Sequence, residues 1–129
     1  MKKNITKLLL FADEAAREYL VKGKDNNEYI KKEQNGYISS FGAAIVQSGL
    51  LPAIYFNFNS ENSSADRRAV MNAIYYILQK QDASINEDDL LKYAKKVAQK
   101  GDLRELKIKI LDAATALKLV IRTYKLKKS

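Results

Sequence analysis

The chain has 129 residues, 47% of them hydrophobic, which is enough for one domain to bury roughly two thirds of the surface an unfolded chain exposes. Histidine and cysteine are absent, which excludes a disulfide framework, thiolate metal sites and the usual general base and nucleophile pairings at neutral pH. The formal charge of +8, from 23 Lys and Arg against 15 Asp and Glu, points to an anionic partner. A phosphate backbone and an acidic protein surface both fit, and so does a merely solvated lysine-rich exterior.

With only 5 Gly and 1 Pro, the chain is built for long helices rather than for turn-rich β structure. Asn4 can cap a first helix over 5–21, with Leu8, Phe11, Ala12, Ala15, Tyr19 and Val21 toward the core. The polar run 22–27 ends it. A second helix is predicted from about Asn27 to Gly49, with Ile30, Tyr37, Phe41, Ala44 and Ile45 buried and Gly36 loosening it. Gly49 can take the positive φ that closes a helix, and Pro52 suits the first turn of the next, over 50–58. Two helices therefore meet at a sharp, largely apolar corner. Residues 53–58 are short and aromatic enough to fit a strand as well, although no strand is predicted. The run 57–64 has the most loop-like composition in the chain, and it is the segment expected to move if any does.

Ser64 is placed as the N-cap of a fourth helix over 65–79, built on Val70, Met71, Ala73, Ile74, Ile77 and Leu78. Ser84 with Glu87, or Asn86 with Asp89, forms a capping pattern for a fifth helix through Leu90, Leu91, Ala94, Val97 and Ala98, closed by Gly101. Asp102 with Glu105 opens the last and longest helix. Its face runs through Leu103, Leu106, Ile110, Ala113, Ala114, Leu117, Ile121 and Tyr124. The expected fold is all-α: one compact bundle of about six helices forming a single domain over 1–129.

No transmembrane segment or secretory leader is expected, so the expected location is the cytoplasm. Asp13 and Glu14 cut short the apolar run 8–11, and Gln47, Ser48, Gly49 and Pro52 divide the stretch 41–56. The densest carboxylate cluster, Glu87, Asp88 and Asp89, sits where a first helical turn favours negative charge, so capping explains it better than a metal site. Ser84 and Lys92 have no partners for nucleophilic catalysis, and no glycine-rich phosphate loop follows a strand. No enzyme, metal, cofactor or small-molecule substrate is expected.

The basic residues are the binding candidates. Lys92, Lys95, Lys96 and Lys100 recur at three- and four-residue steps opposite the apolar face of the fifth helix, so their ammonium groups form a row that can follow phosphates. Lys107, Lys118, Arg122 and Lys125 lie beside the stripe of the last helix, with Lys127 and Lys128 in an exposed tail. Arg67 and Arg68 stand in the first turn of helix four, where positive charge is unfavourable to the helix dipole. Each of these is also readable as a solvated surface charge. Tyr29, Tyr37, Tyr75, Tyr76 and Tyr93 are read as packing residues whose hydroxyls reach the surface rather than as base platforms.

The Ser48-Gly49-Leu50 corner followed by Tyr55-Phe56, and the last helix with Ala113-Ala114, Leu117 and Arg122-Thr123-Tyr124 before a basic tail, carry a family resemblance. Together with the length and helix order, they resemble the small helical subunit, the fifth, of the RAMP-module (Cmr) assembly of type III-B CRISPR effector complexes. Gly42 stands where members often have proline, and Pro52 is additional. The resemblance implies a non-catalytic subunit in antiviral defence, stacked in several copies along the backbone subunits. Its implied partners are the backbone and large subunits, the CRISPR RNA and the target RNA. On that reading Lys92, Lys95, Lys96, Lys100, Arg67, Arg68, Lys118, Arg122 and Lys125 are the candidate RNA-binding residues. A free-standing basic nucleic-acid-binding regulator, or an adaptor docking on an acidic protein, are the other classes the residues allow.

Overall fold

The computed structural model describes residues 5–59 and 64–128, the side chains of Ser64 and Ala65 excepted. Six α-helices occur among them: α1 (Ile5–Tyr19), α2 (Lys32–Ser48), α3 (Leu50–Asn57), α4 (Ser64–Gln81), α5 (Leu90–Gln99) and α6 (Arg104–Ile121). They bear out the all-α bundle. The C-terminal helix α6 spans 18 residues, the same span as α4.

Helix α4 is the axis of the bundle and touches each of the other five. Val70, Met71, Ala73, Ile74, Tyr75, Ile77 and Leu78 are all buried. At about 100° per residue they cover roughly 200° of its circumference, far wider than the stripe of a helix packed on one side only. α1 and α6 pack together and against α4. Buried alanines at 12, 15 and 16 of α1 and at 113, 114 and 116 of α6 let the backbones approach. Leu8, Phe41, Ile45, Ile54, Leu90, Ile110, Leu117 and Ile121 fill the rest of a single core cluster.

The corner between α2 and α3 forms as expected. Gly49 has φ 99° and ψ 164°, a region that only glycine populates readily, and its N–H donates to Ile45 O at 3.0 Å. Pro52 lies in the first turn of α3, where the missing N–H removes no helical hydrogen bond.

Several local expectations are overturned. A small three-stranded sheet is present, made of β1 (Val21–Lys22), β2 (Tyr29–Lys31) and β3 (Lys125–Lys127) in the order β1-β2-β3. β1 and β2 are antiparallel, whereas β2 and β3 are parallel. The first helix therefore stops at Tyr19, two residues early, and the second starts at Lys32 rather than near Asn27. In between, Gly23, at φ 81° with Asn27 O only 2.3 Å from where a Cβ would stand, turns the chain back on itself. Two- and three-residue strands are too short to show an alternating pattern, which is why the sequence places Ile30 on the buried side of the second helix instead. It is fully buried, but from a strand. Tyr19 is 38% exposed, and Ala16 and Leu20 take the core places. Lys127, read as tail, is in β3.

α5 is capped by Asp89 itself, whose Oδ1 accepts from Lys92 N–H at 2.8 Å; neither Ser84 nor Asn86 is the cap. Asp102 Oδ1 accepts from Arg104 N–H at 2.8 Å just before α6, and Tyr124 lies beyond that helix. α4 begins at Ser64, which is thus its first residue rather than a cap preceding it, and runs to Gln81. The proposed cap Asn4 and the loop residues 60–63 lie outside the described residues.

The α2–α3 corner gives a direct test. Gly49→Ala finds room for its methyl, with Pro52 Cδ at 3.7 Å, but not the backbone conformation. Its unfolding free energy in urea is expected to fall by about 1–3 kcal/mol with helix content by circular dichroism unchanged.

Candidate functional site

The expected lysine row exists on α5, but its charges are not equivalent. The loop before the helix brings three carboxylates to its first turn, and each has a separate task. Asp89 caps the backbone, Asp88 Oδ2 accepts from Lys92 Nζ at 2.8 Å, and Glu87 Oε2 accepts from Lys96 Nζ at 2.8 Å. The Lys92 ammonium holds the Asp88 carboxyl below its ordinary range, as Lys96 does Glu87, and both lysines are shifted upward in return. Half of the row thus carries its counterions on the same surface. Lys100 is exposed, and its ammonium group has no ion pair or hydrogen bond among the described residues.

Lys95 is held differently, with its ammonium 5.5 Å from the centre of the Tyr55 ring. Arg67 lies between two rings, with its guanidinium carbon 4.5 Å from the Tyr37 centroid and 5.0 Å from that of Phe56. Tyr55 and Phe56 are 50% and 57% exposed, large for aromatic residues of a packed helix. Packing of α3 against α4 and α5 therefore brings Arg67 and Lys95, distant in sequence, to adjacent exposed aromatics. A cation over a ring face is held in place without losing its charge to a carboxylate. The result is a strip in which Lys95 on Tyr55 adjoins Arg67 on Phe56 and Tyr37, a surface chemistry that suits phosphates and unpaired bases.

The remaining candidates are dispersed. Arg68 points inward: Nη2 donates to Phe58 O at 2.8 Å and the guanidinium stacks 4.6 Å from the Phe58 ring, closing the end of α3. Lys118 Nζ donates to Ser39 Oγ, bridging α6 to α2. Arg122 and Lys125, both exposed, lie beyond the end of α6 at Ile121 rather than on it: Arg122 is in the turn that follows, and Lys125 is the first residue of β3. The aromatic strip was the feature that sequence reasoning missed. Its only sequence signal was the presence of two large aromatics, Tyr55 and Phe56, in a short helix whose neighbours Leu50, Ala53 and Ile54 already supply the buried face.

Other tyrosines pack. Tyr75 is 5% exposed and donates to Glu87 O at 2.7 Å, fixing the acidic loop to α4, while Tyr76 donates to Glu14 Oε1 at 3.0 Å. The hollows of the surface, such as that between Lys7, Phe11 and Lys80, are open. Among the described residues no group of three or more His, Cys, Asp or Glu is placed to hold a metal ion, and no helix is long and apolar enough to cross a membrane.

Burial, followed by the Glu87 and Asp89 charges, pushes the Tyr75 hydroxyl up to about 12 from its ordinary 10. The folded chain thus holds this proton more tightly than the unfolded one. The resulting stabilisation is complete below pH 10 and is lost as pH rises toward 12. Unfolding free energy measured in urea is expected to fall across that interval, and to fall less steeply in Tyr75→Phe.

Against known proteins, no curated protein and no solved structure matches the chain. A family model does: residues 12–123 match the one described as CRISPR-associated protein (Cas_Cmr5). That span runs from the middle of α1 to the turn before β3 and includes the Gly49 corner and the aromatic strip. The resemblance carried by the corner and the last helix is thereby borne out: the chain belongs to the Cas_Cmr5 family of CRISPR-associated proteins and is a Cmr-complex subunit.

Proposed function

We propose that this chain is a non-catalytic, single-domain subunit of a cytoplasmic type III-B effector complex. Copies of it stack along the backbone subunits and help to hold the CRISPR RNA and the target RNA in antiviral defence. A subunit with this task must bind any sequence, so it requires phosphate attraction and stacking without readout of base edges. The observation that carries the reading is the strip on which Lys95 and Arg67 flank the exposed Tyr55 and Phe56. Lys100 extends its charge along α5, and the overall +8 supplies the long-range attraction. Exposed Val46, Ile108 and Leu119, at 72%, 56% and 48%, offer apolar contact to neighbouring subunits.

The pairing of Lys92 and Lys96 with carboxylates separates the contributions within the row. In complexes purified with the subunit incorporated, Lys95→Glu with Lys100→Glu is expected to weaken target-RNA binding about tenfold near physiological salt. Glu87→Gln with Asp88→Asn releases two ammonium groups and is expected to strengthen it several-fold, with a steeper salt dependence. Unchanged binding in both variants refutes the RNA-holding role. Tight, salt-dependent RNA binding by the isolated chain together with its absence from any complex favours the free-standing regulator instead. Stable incorporation with no contribution to RNA binding even at low salt favours the adaptor docked on an acidic protein.

A further inference from the structure

The small sheet gathers charge in a way the helices do not. Its strands carry Lys22, Lys31, Lys125 and Lys127 and no carboxylate. The register sets Lys22 opposite Tyr29, Tyr29 opposite Lys125, and Lys31 opposite Lys127. Residues directly across a ladder share a face, and residues two apart on a strand return to it. All four lysines and Tyr29 therefore lie on one face, while Val21, Ile30 and Leu126 form the other, which packs on the core with Ile30 fully buried.

That outer face is electrostatically costly by itself. Neighbouring strands lie about 4.8 Å apart and alternate residues about 7 Å apart, so the lysines sit within roughly one screening length of each other. Like charges directly opposite, as Lys31 and Lys127 are, destabilise a sheet. Compensation is slight. Lys31 Nζ is 3.4 Å from Asp66 Oδ1, and Lys127 Nζ rests 4.7 Å over the Tyr29 ring. Lys22 and Lys125 have no ion pair among the described residues. Of the nearby carboxylates, Glu28 is taken by Arg17 at 2.7 Å and Asp13 by the Tyr124 hydroxyl at 3.0 Å, while Asp25 stands at the tip of the hairpin. Lys24, Arg122 and Lys128 are exposed beside the strands and add to the same sign.

We infer that this sheet face is a second RNA contact, taking the phosphates of a single strand on Lys22, Lys125 and Lys127, with Tyr29 holding Lys127 in place. The inference rests on the reading that the subunit holds RNA. It adds a site separate from the α3–α5 strip, and the two meet at the first turn of α4. There Asp66 reaches Lys31 while its neighbour Arg67 reaches Tyr37 and Phe56.

The test uses the assembled complex and a short target RNA over a range of salt. Lys22→Gln, Lys125→Gln and Lys127→Gln are combined, since exposed lysines tolerate the neutral change. Binding near physiological salt is expected to weaken at least tenfold, with the salt slope shallower by about 2 for three lost contacts to a single strand. A photoreactive benzoylphenylalanine at position 29 is expected to crosslink to RNA, and one at position 126, on the inner face, is not; this arm stands even if the triple variant folds poorly. Unchanged affinity and slope in an incorporated variant, with no crosslink at position 29, overturns the inference. If the Lys95→Glu and Lys100→Glu variant weakens binding in the same assay, the RNA-holding role stands without this site. If neither variant matters, both readings fall. A folded triple variant that no longer enters the complex assigns the face to a protein neighbour, which also overturns the inference.

Discussion

The structure depends on the width of the apolar surface of α4. A helix buried over roughly 200° cannot be served by one neighbour, so the chain must wrap other helices around it, and each of the five others does touch it. The positions of α3 and α5 follow from that requirement, and so does the candidate binding surface. Arg67 sits on that same face of α4, one turn before the buried Met71, where α3 and then α5 continue the wall. The strip of rings and cations is thus the outer surface of packing that the core enforces.

Two different physical solutions govern the basic residues of this chain. On α5, Lys92 and Lys96 are matched by carboxylates delivered by the preceding loop, which is itself fixed by the hydrogen bond from Tyr75 to Glu87 O. Exposed pairs of this kind contribute little to stability, but they do neutralise the surface they occupy. Lys95, Arg67 and Lys127 are held over aromatic faces instead, which orders the side chain and leaves its charge available. Toward a polyanion the second arrangement exerts the stronger attraction.

The sheet also has a structural task. It ties the hairpin that follows α1 to the segment that leaves α6, so that regions far apart in sequence close one end of the bundle. Arg17 reinforces this junction, donating to Glu28 Oε2 at 2.7 Å and to the Tyr124 hydroxyl at 2.8 Å, while Tyr124 donates to Asp13 Oδ1. Burial, the largest influence, pushes the Tyr124 hydroxyl upward from its ordinary range.

Much was determined by sequence alone: six helices, the Gly49 corner, most of the core, the family and the basic character. Those features rest on local chemistry, since helical periodicity, glycine's access to positive φ and the count of charges need no knowledge of distant residues. The sheet was not legible because Lys125-Leu126-Lys127 becomes a strand only when Tyr29-Ile30-Lys31, nearly a hundred residues earlier, lies beside it. Nor could spacing along α5 reveal that Lys92 and Lys96 are paired while Lys95 lies over Tyr55. A lysine's effective charge depends on what stands within a few ångströms of its ammonium group, and only the packing of α3, α4, α5 and the loop before α5 decided that.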